Sequence, residues 1–266
     1  MSTNQQEPAN GDVANAGDVS RVVKVHYERL ATNYDHFLHY SADFVRWHTS
    51  AMIEHLALVP DDVLVDLGGG TGMYSLDIVE QVPLTNPVII VDPFPQMLEQ
   101  IPDDAPVERV AEDALDFSEQ PRQYDKVLIK EAVHHVEQRE RLFRNLYERL
   151  RPGGRVLLVH VPPELDYPLF QAALERSLTW HANPDELEAA LRRVGFDVER
   201  ERRVYRHRMP TEHYLRMVES QYMSLLSSFG DEELARGLDE MRRTYGHRDL
   251  LEFDDRFDYI TAAKPR

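Results

Sequence analysis

The sequence predicts an α/β fold in which one mostly parallel sheet is covered by helices on both faces. Short apolar runs alternate with segments of helical periodicity from residue 61 onwards. A glycine cluster at residues 68–72 follows the first apolar run, where a strand would turn into a helix. With 266 residues, of which 42% are hydrophobic, the chain can bury one sizeable core.

The residues before the sheet divide into two parts. Residues 1–19 are polar and carry no periodicity, so we expect a disordered leader. Residues 20–60 contain two helical patterns, and we expect them to form an N-terminal helical cap. The main domain then covers residues 61–266.

Strands and helices alternate along the main domain. Strands are expected at residues 63–67, 87–92, 106–113, 124–132, 155–161, 197–209 and 255–264. Helices are expected at residues 73–81, 95–101, 140–150, 167–178 and 183–194. The segment at about 210–250 is also helical in pattern, and a helical insertion before the closing strand suits a lid above the sheet.

Composition excludes several classes of site and partner. The chain has no cysteine, which rules out disulfides, zinc–thiolate sites and thiolate nucleophiles. Its net charge of -17 opposes nucleic-acid binding, and the arginines at residues 200–208 are best interpreted as a solvated strand face. There is no apolar run of 18 residues and no secretory signal, so we expect no membrane partner and a cytoplasmic protein.

The glycine turn and three acids predict a cofactor site. Glycines allow positive φ and a close approach of ligand to backbone. Asp66 ends the strand before the turn, where it would repel a pyrophosphate and suits an ammonium group instead. Asp92 follows the turn by about 20 residues and ends the next strand, the usual place for a carboxylate that binds ribose hydroxyls. Asp113 follows the third strand and can accept a hydrogen bond from an adenine amine.

These motifs identify a resemblance to a family. The chain resembles the class I S-adenosylmethionine-dependent methyltransferases, particularly the small-molecule group related to quinone-biosynthesis methyltransferases, over about residues 22–162. The motifs that carry the resemblance are VDLGGGTG, VDPFPQML, AEDALDF, YDKVLIKEAVHHV and LRPGGRVLLV. It implies a Rossmann-like seven-stranded sheet in the order 3-2-1-4-5-7-6, with strand 7 antiparallel. The cofactor, S-adenosyl-L-methionine, would lie across the carboxyl ends of strands one to four.

The resemblance also implies roles for individual residues in binding the cofactor. They are Asp66, Gly68, Gly69 and Gly70 for the methionine part, Asp92 for the ribose, Asp113 and Ala114 for adenine, and Met97 for the adenine face. Tyr27 and Tyr34 on the first helix would close over the cofactor. Core packing is the alternative for Met97 and for both tyrosines.

Candidate catalytic residues follow the fourth strand, beside the expected position of the transferred methyl group. His135 or His134 is the candidate general base, because an imidazole titrates near neutral pH. Glu131 would orient a histidine or bind the acceptor, or else form a surface ion pair with Lys130. A structural role is the alternative for each histidine. Substrate-binding candidates near the insertion are Tyr205, Arg208 and Tyr222.

The predicted function is methyl transfer to an oxygen, nitrogen or carbon atom of a small molecule by a monomer or homodimer. One alternative is a metal-assisted O-methyltransferase, although no compact metal-ligand motif is present and no metal is expected. A second is a nicotinamide-dependent oxidoreductase, which Asp66 and the lack of a Tyr-x-x-x-Lys pair oppose. A third is a cofactor-binding protein without catalysis. The acceptor molecule is not given by the sequence.

Overall fold

The sheet was predicted correctly. The computed structural model describes residues 41–266. The strands in this range are β1 (Leu64–Leu67), β2 (Val88–Val91), β3 (Val107–Val110), β4 (Tyr124–Lys130), β5 (Leu150–His160), β6 (Asp197–Pro210) and β7 (Leu250–Ala263). They form one seven-stranded sheet in the order β3-β2-β1-β4-β5-β7-β6. Neighbouring strands from β3 to β5 are parallel, and β7 is antiparallel to both β5 and β6.

The helices follow the predicted alternation. They are α1 (Ala42–Leu56), α2 (Met73–Gln81), α3 (Pro95–Leu98), α4 (Ala114–Glu119), α5 (Arg139–Arg149), α6 (Gln171–Trp180), α7 (Pro184–Val194), α8 (Thr211–Glu219) and α9 (Asp231–Tyr245). The bounds of α2 agree with the prediction, whereas α6 begins four residues later than expected. Pro168 disfavours helical geometry at Tyr167, the first residue of the expected helix.

Two apolar layers cover the two faces of the sheet. Helices α1, α2 and α3 pack on one face, where Phe44, Met52 and Ile78 are buried together. On the other face, α4, α5 and α7 bury Phe117, Phe143 and their neighbours. Side chains of successive strand residues point to opposite faces, so each central strand supplies both layers.

A third apolar cluster lies between α6, α8 and α9. It buries Phe170, Tyr214 and Leu238, among others. Gly237 of α9 makes the close packing possible, since a Cβ there would stand 2.6 Å from the Phe170 ring. The predicted helical segment between β6 and β7 thus contains two helices, although β7 begins earlier than expected, at Leu250.

The arginines of β6 are paired with carboxylates. Arg202 makes two hydrogen bonds of 2.8 Å to Asp258, which is buried. The other pairs are Arg200 with Asp185 and Glu188, Arg203 with Glu54 and Glu201, and Arg206 and Arg208 with Glu252. These arginines therefore bridge elements of the fold. In the described part of the chain, no helix is both long and apolar enough to cross a membrane.

Some sequence predictions fall outside the described residues. The leader at residues 1–19, most of the expected helical cap at residues 20–60, Tyr27 and Tyr34 belong to this group. The part of the cap that is described begins with α1, whose first turn is capped by the Ser41 hydroxyl, which accepts a hydrogen bond from the Phe44 N–H.

Candidate cofactor and acceptor site

The glycine turn after β1 has a backbone that other residues would not tolerate. Gly68, Gly70 and Gly72 have φ values of 75°, 56° and 75°. A Cβ on Gly68 would overlap the Cβ of Ala132, and one on Gly70 would stand 3.1 Å from the Met97 methyl group. The turn therefore lies directly against the end of β4 and against α3, and its surface is backbone.

Asp66 is a buried carboxylate in the middle of the sheet. It lies beside Ile90 of β2 and Leu128 of β4, and it is only 3% exposed. Its Oδ2 atom accepts a hydrogen bond of 2.6 Å from the Ser75 hydroxyl. Burial raises the pKa of Asp66 to about 6, against the opposing effect of that hydrogen bond. A carboxylate in this state favours a cationic partner.

Asp92 joins the end of β2 to the glycine turn. One carboxylate oxygen accepts the N–H of Gly70 at 3.0 Å and the other accepts the N–H of Phe94 at 2.9 Å. Burial raises the pKa of Asp92 to about 6 as well. Asp113 is more exposed, and it caps α4 by accepting a hydrogen bond from the N–H of Leu115.

One cavity of about 1290 Å³ brings the predicted site residues together. Of the predicted cofactor residues, those lining it are Asp66, Gly68, Gly69, Gly70, Asp92, Met97, Asp113 and Ala114. The catalytic candidates Glu131, His134 and His135 and the substrate candidates Tyr205, Arg208 and Tyr222 line it too. Ligand cavities commonly enclose about 300–1,000 Å³, so this one has room for a cofactor and a small second ligand.

A cluster of histidines closes one end of the cavity. The rings of His134 and His135 are centred 3.9 Å apart, and the His181 ring lies 5.4 Å from that of His134. His160 of β5 completes the cluster, with its Nε2 atom 2.8 Å from the Ala182 carbonyl oxygen. His181 follows α6 and was missed by sequence reasoning, because no local pattern brings it to β4.

Burial lowers the pKa of His135 and of His181 to about 4, and it lowers the pKa of His134 well below its usual value. The imidazoles of His134, His135 and His181 are therefore neutral. Among the described residues, neither ring nitrogen of His134 or His181 has a hydrogen-bond partner. Residues 41–266 contain no group of three or more histidine or acidic side chains placed to hold a metal ion.

Glu131 is bound to the backbone of β5. It has a positive φ of 51°, and its Oε1 atom accepts a hydrogen bond of 2.6 Å from the N–H of Val161. The same oxygen lies 3.6 Å from Nδ1 of His160. Glu131 thus lies near His160, and the described ion pairs include none between Glu131 and Lys130. That Glu131 orients a histidine or binds the acceptor stays a prediction.

The part of the cavity that contains the substrate candidates Tyr205 and Arg208 also contains Tyr167 and Asp255, which the sequence did not indicate. Asp255 of β7 is buried, accepts a hydrogen bond from the Tyr167 hydroxyl, and lies 3.1 Å from Nε2 of His207. Tyr205 packs beside His207, with 4.9 Å between ring centres. Arg208 is largely exposed at the rim and approaches Glu252 at 3.5 Å.

A family model matches the central part of the chain. Residues 65–156 match the model of a methyltransferase domain. This part of the chain is therefore similar to methyltransferase domains, and the sheet has the strand order expected for the class I fold. The match includes the glycine turn, Asp92, Asp113 and the histidines after β4, but it ends before Tyr167 and Asp255. The part of the cavity that contains Tyr167 and Asp255 thus lies mainly outside the matched residues. No curated protein matches the chain with significant sequence similarity.

Solved structures share the methyltransferase fold at low sequence identity. A phosphoethanolamine N-methyltransferase of Haemonchus contortus, in complex with phosphomonomethylethanolamine and S-adenosylhomocysteine, is 18% identical with a TM-score of 0.58. The alignment covers 92% of this chain but 60% of the Haemonchus chain, so this protein spans about three-fifths of its length. A candidate methyltransferase from an antibiotic biosynthesis pathway of Anabaena variabilis is 21% identical, with a TM-score of 0.63 and coverage of 81% and 96%.

The fold alone does not determine the reaction. The [4+2]-cyclase SpnF is 16% identical with a TM-score of 0.56, and the alignment covers 83% of this chain and 80% of the cyclase. The chemistry of this protein therefore depends on the residues of its own cavity.

Proposed function

We propose that this protein transfers a methyl group from S-adenosylmethionine to a small-molecule acceptor. The observation that carries the proposal is the negative charge of the cofactor wall, by which we mean the part of the cavity lined by residues between positions 66 and 115. Asp66, Asp92 and Asp113 line it, and the described cavity residues from position 66 to position 115 include no lysine or arginine. Carboxylates suit an ammonium group, ribose hydroxyls and an adenine amine, whereas they oppose the two phosphates of a nicotinamide dinucleotide.

Each part of the cofactor has a candidate partner on this wall. Asp66 would hold the ammonium group, and Gly68, Gly69 and Gly70 would lie along the methionine part. Asp92 would accept hydrogen bonds from the ribose hydroxyls. Asp113 and Ala114 would bind adenine, and Met97, buried beside Gly70, would pack on its face. That Tyr27 and Tyr34 close over the cofactor stays a prediction.

The bound cofactor supplies a methyl group on a positively charged sulfur, and the acceptor's lone pair bonds to that carbon as the carbon–sulfur electron pair returns to sulfur. The protein must hold the acceptor in line and exclude water. His135, or His134 beside it, is the candidate base, because both are neutral and line the cavity. A base with a pKa near 4 is effective only with an acceptor that ionises readily. Glu131 would act by holding His160.

Helices α8 and α9 would form the predicted lid. Residues of α8 and of the loop after it line the cavity, among them Tyr214, Met217 and Tyr222. Tyr205, Arg208 and Tyr222 would contact the acceptor from this side. A monomeric or dimeric state, a cytoplasmic location, a role in small-molecule metabolism and the absence of nucleic-acid and membrane partners stay predictions.

Two measurements, made one after the other, test the proposed function. Calorimetry with S-adenosylhomocysteine and with NAD comes first, and we expect binding of S-adenosylhomocysteine alone. Binding of NAD alone would contradict the proposal. Incubation with methyl-labelled S-adenosylmethionine and fractionated small-molecule extract comes second, and a labelled product that requires the protein identifies the acceptor. Binding without any labelled product across complete extracts would instead support a cofactor-binding protein without catalysis.

A further inference from the structure

Lys130 places an ammonium group in the cavity. It is the last residue of β4, and its Nζ atom lies 4.5 Å from the centre of the Tyr74 ring and 5.6 Å from that of the Phe257 ring. Among the described residues, its ammonium group makes no hydrogen bond and no ion pair. Aromatic faces stabilise a cation but leave its three hydrogen-bond donors unused. Lys130 is half-buried, and a partly buried ammonium group favours an acceptor of those hydrogen bonds.

The charged neighbours of Lys130 already have other partners. Asp66 accepts a hydrogen bond from a serine, Asp255 lies between a tyrosine and a histidine, and Glu131 is bound to a backbone N–H. Burial lowers the pKa of Lys130, while these three carboxylates oppose the change. His48 of α1 also faces the ammonium group, and burial keeps the pKa of that histidine well below its usual value. An anion bound beside Lys130 would favour its charged form.

Lys130 lies near both the proposed cofactor wall and the part of the cavity that contains Asp255. Asp66 belongs to that wall, Asp255 belongs to the proposed acceptor end, and both carboxylates influence the pKa of the Lys130 amine. A ligand atom bound to Nζ would therefore lie where the cofactor and the acceptor meet.

Aromatic side chains form the wall beyond Lys130. Phe253 stands at its centre, with ring centres 5.5 Å from Tyr167, 5.1 Å from Tyr214 and 5.2 Å from His207. Tyr205 extends the wall from His207. Rings in this arrangement offer flat, apolar surfaces against which a planar aromatic molecule can pack.

We propose that Lys130 binds the oxygen anion of a planar aromatic acceptor, so that the substrate class is an aromatic compound with an acidic hydroxyl group. The inference rests on the proposed function and specifies its acceptor. The candidate base His135 takes the hydroxyl proton and passes it to solvent, and the oxygen stays as an anion held by the ammonium group. A readily ionised acceptor also agrees with the weak basicity of the nearby histidines.

The test uses 4-nitrophenol, whose phenol and phenolate forms differ in absorbance, with protein saturated with S-adenosylhomocysteine. We expect bound 4-nitrophenol to ionise at a lower pH than the free compound. Lys130→Met should weaken nitrophenolate binding about 10- to 100-fold, and Lys130→Arg should retain most of it. Binding of 4-nitroanisole, which cannot ionise, should be the same in the wild type and in Lys130→Met.

Lys264→Met is the matched control. Lys264 also lies over an aromatic ring, that of Tyr147, but its Nζ atom donates to two backbone carbonyl groups away from the cavity. We expect this variant to bind nitrophenolate as the wild type does. Lys130→Met should bind S-adenosylhomocysteine normally, which also shows that it is folded.

Three results would overturn the inference. They are no binding of nitrophenolate to the wild type, equal binding to Lys130→Met, and a loss of S-adenosylhomocysteine affinity in that variant with Lys264→Met unaffected. The last result would assign Lys130 to the carboxylate of the cofactor. Failure of the proposed function gives a different result. In that case the wild type would not bind S-adenosylhomocysteine even before a phenol is added.

Discussion

The carboxylate of Asp92 accepts the backbone N–H of Gly70, with 3.0 Å between Oδ2 and the nitrogen. This bond fixes the end of β2 to the glycine turn after β1. The bond therefore fixes the distance between the carboxylate proposed to bind the ribose and the backbone proposed to lie along the methionine part.

Asp92→Ala is expected to weaken binding of S-adenosylhomocysteine by tens of fold. A charged acceptor of hydrogen bonds contributes about 1.5–3 kcal/mol per bond. Asp92→Asn keeps one acceptor oxygen for the turn and should show a smaller loss. Calorimetry measures both, and Asp103→Asn, at an exposed acid paired with Arg109, is the control. If Asp92→Ala bound S-adenosylhomocysteine as tightly as the wild type, Asp92 would not be part of the cofactor site.

Binding of S-adenosylhomocysteine near pH 6 is expected to release protons. The pKa of Asp66 is about 6, above its ordinary value of 3.8, so the ligand-free protein is partly protonated there. The folded pKa exceeds the unfolded one, so the contribution of Asp66 to stability rises as the pH falls from about 7 to about 5. An ammonium group beside Asp66 would displace the proton.

Calorimetry in two buffers of different ionisation enthalpy counts these protons. The release should vanish above about pH 7.5, where the pKa values leave both Asp66 and Asp92 ionised. Asp66→Asn should release fewer protons than the wild type. Equal release by Asp66→Asn and the wild type would mean that the ammonium group binds elsewhere.

Gly68→Ala is expected to destabilise the protein by at least about 2 kcal/mol and to abolish cofactor binding. The residue has a φ of 75°, and a Cβ would overlap Ala132. Gly230→Ala is the control, because a Cβ there would have its nearest neighbour at 3.9 Å. Thermal unfolding compares the two, and similar melting temperatures would contradict the steric account of the turn.

His135→Ala is expected to lower turnover of the identified acceptor by about 10²–10⁴-fold without weakening S-adenosylhomocysteine binding. With a pKa of about 4, His135 stays neutral through the range where an ordinary histidine titrates. The kcat at saturating cofactor should therefore show no loss near pH 6.5 from this group. His247→Ala, at an exposed position, is the control. Full activity of His135→Ala would show that this histidine is structural and is not the general base.

Arg202→Met is expected to destabilise the protein by roughly 2–4 kcal/mol, because it leaves the buried Asp258 carboxylate without its partner. Arg206→Met breaks an exposed pair with Glu252 and should cost less than about 1 kcal/mol. Urea unfolding of both variants measures the difference. Equal midpoints would show that Asp258 does not depend on Arg202.

The predictions from sequence succeeded where the determinants are local. The glycine turn is recognisable because positive φ values and close backbone contacts permit glycine alone at Gly68. Asp66 and Asp92 were recognisable because Asp66 lies near the end of β1 and Asp92 directly follows β2, and the carboxyl ends of parallel strands share one edge of the sheet. The order of the sheet followed from the family resemblance, and the structure has that order.

The acceptor end was not predictable in the same way. His181, Tyr167 and Asp255 are separated from β4 along the chain, and they reach the cavity through the packing of α6 and the antiparallel pairing of β7 with β5. Lys130 was visible in the sequence, but an ion pair with Glu131 was an equally good interpretation. That Glu131 bonds to the backbone of β5 instead is a tertiary contact.

The sequence by itself thus determined the fold class, the order of the elements and the acidic cofactor wall, because periodicity, glycine geometry and strand ends act within short stretches of chain. Only the tertiary structure decided which side chains meet at the acceptor end and left the Lys130 ammonium group facing the cavity. Contacts between residues distant in the chain depend on how helices and strands pack, and burial, which sets the pKa values there, arises from that packing.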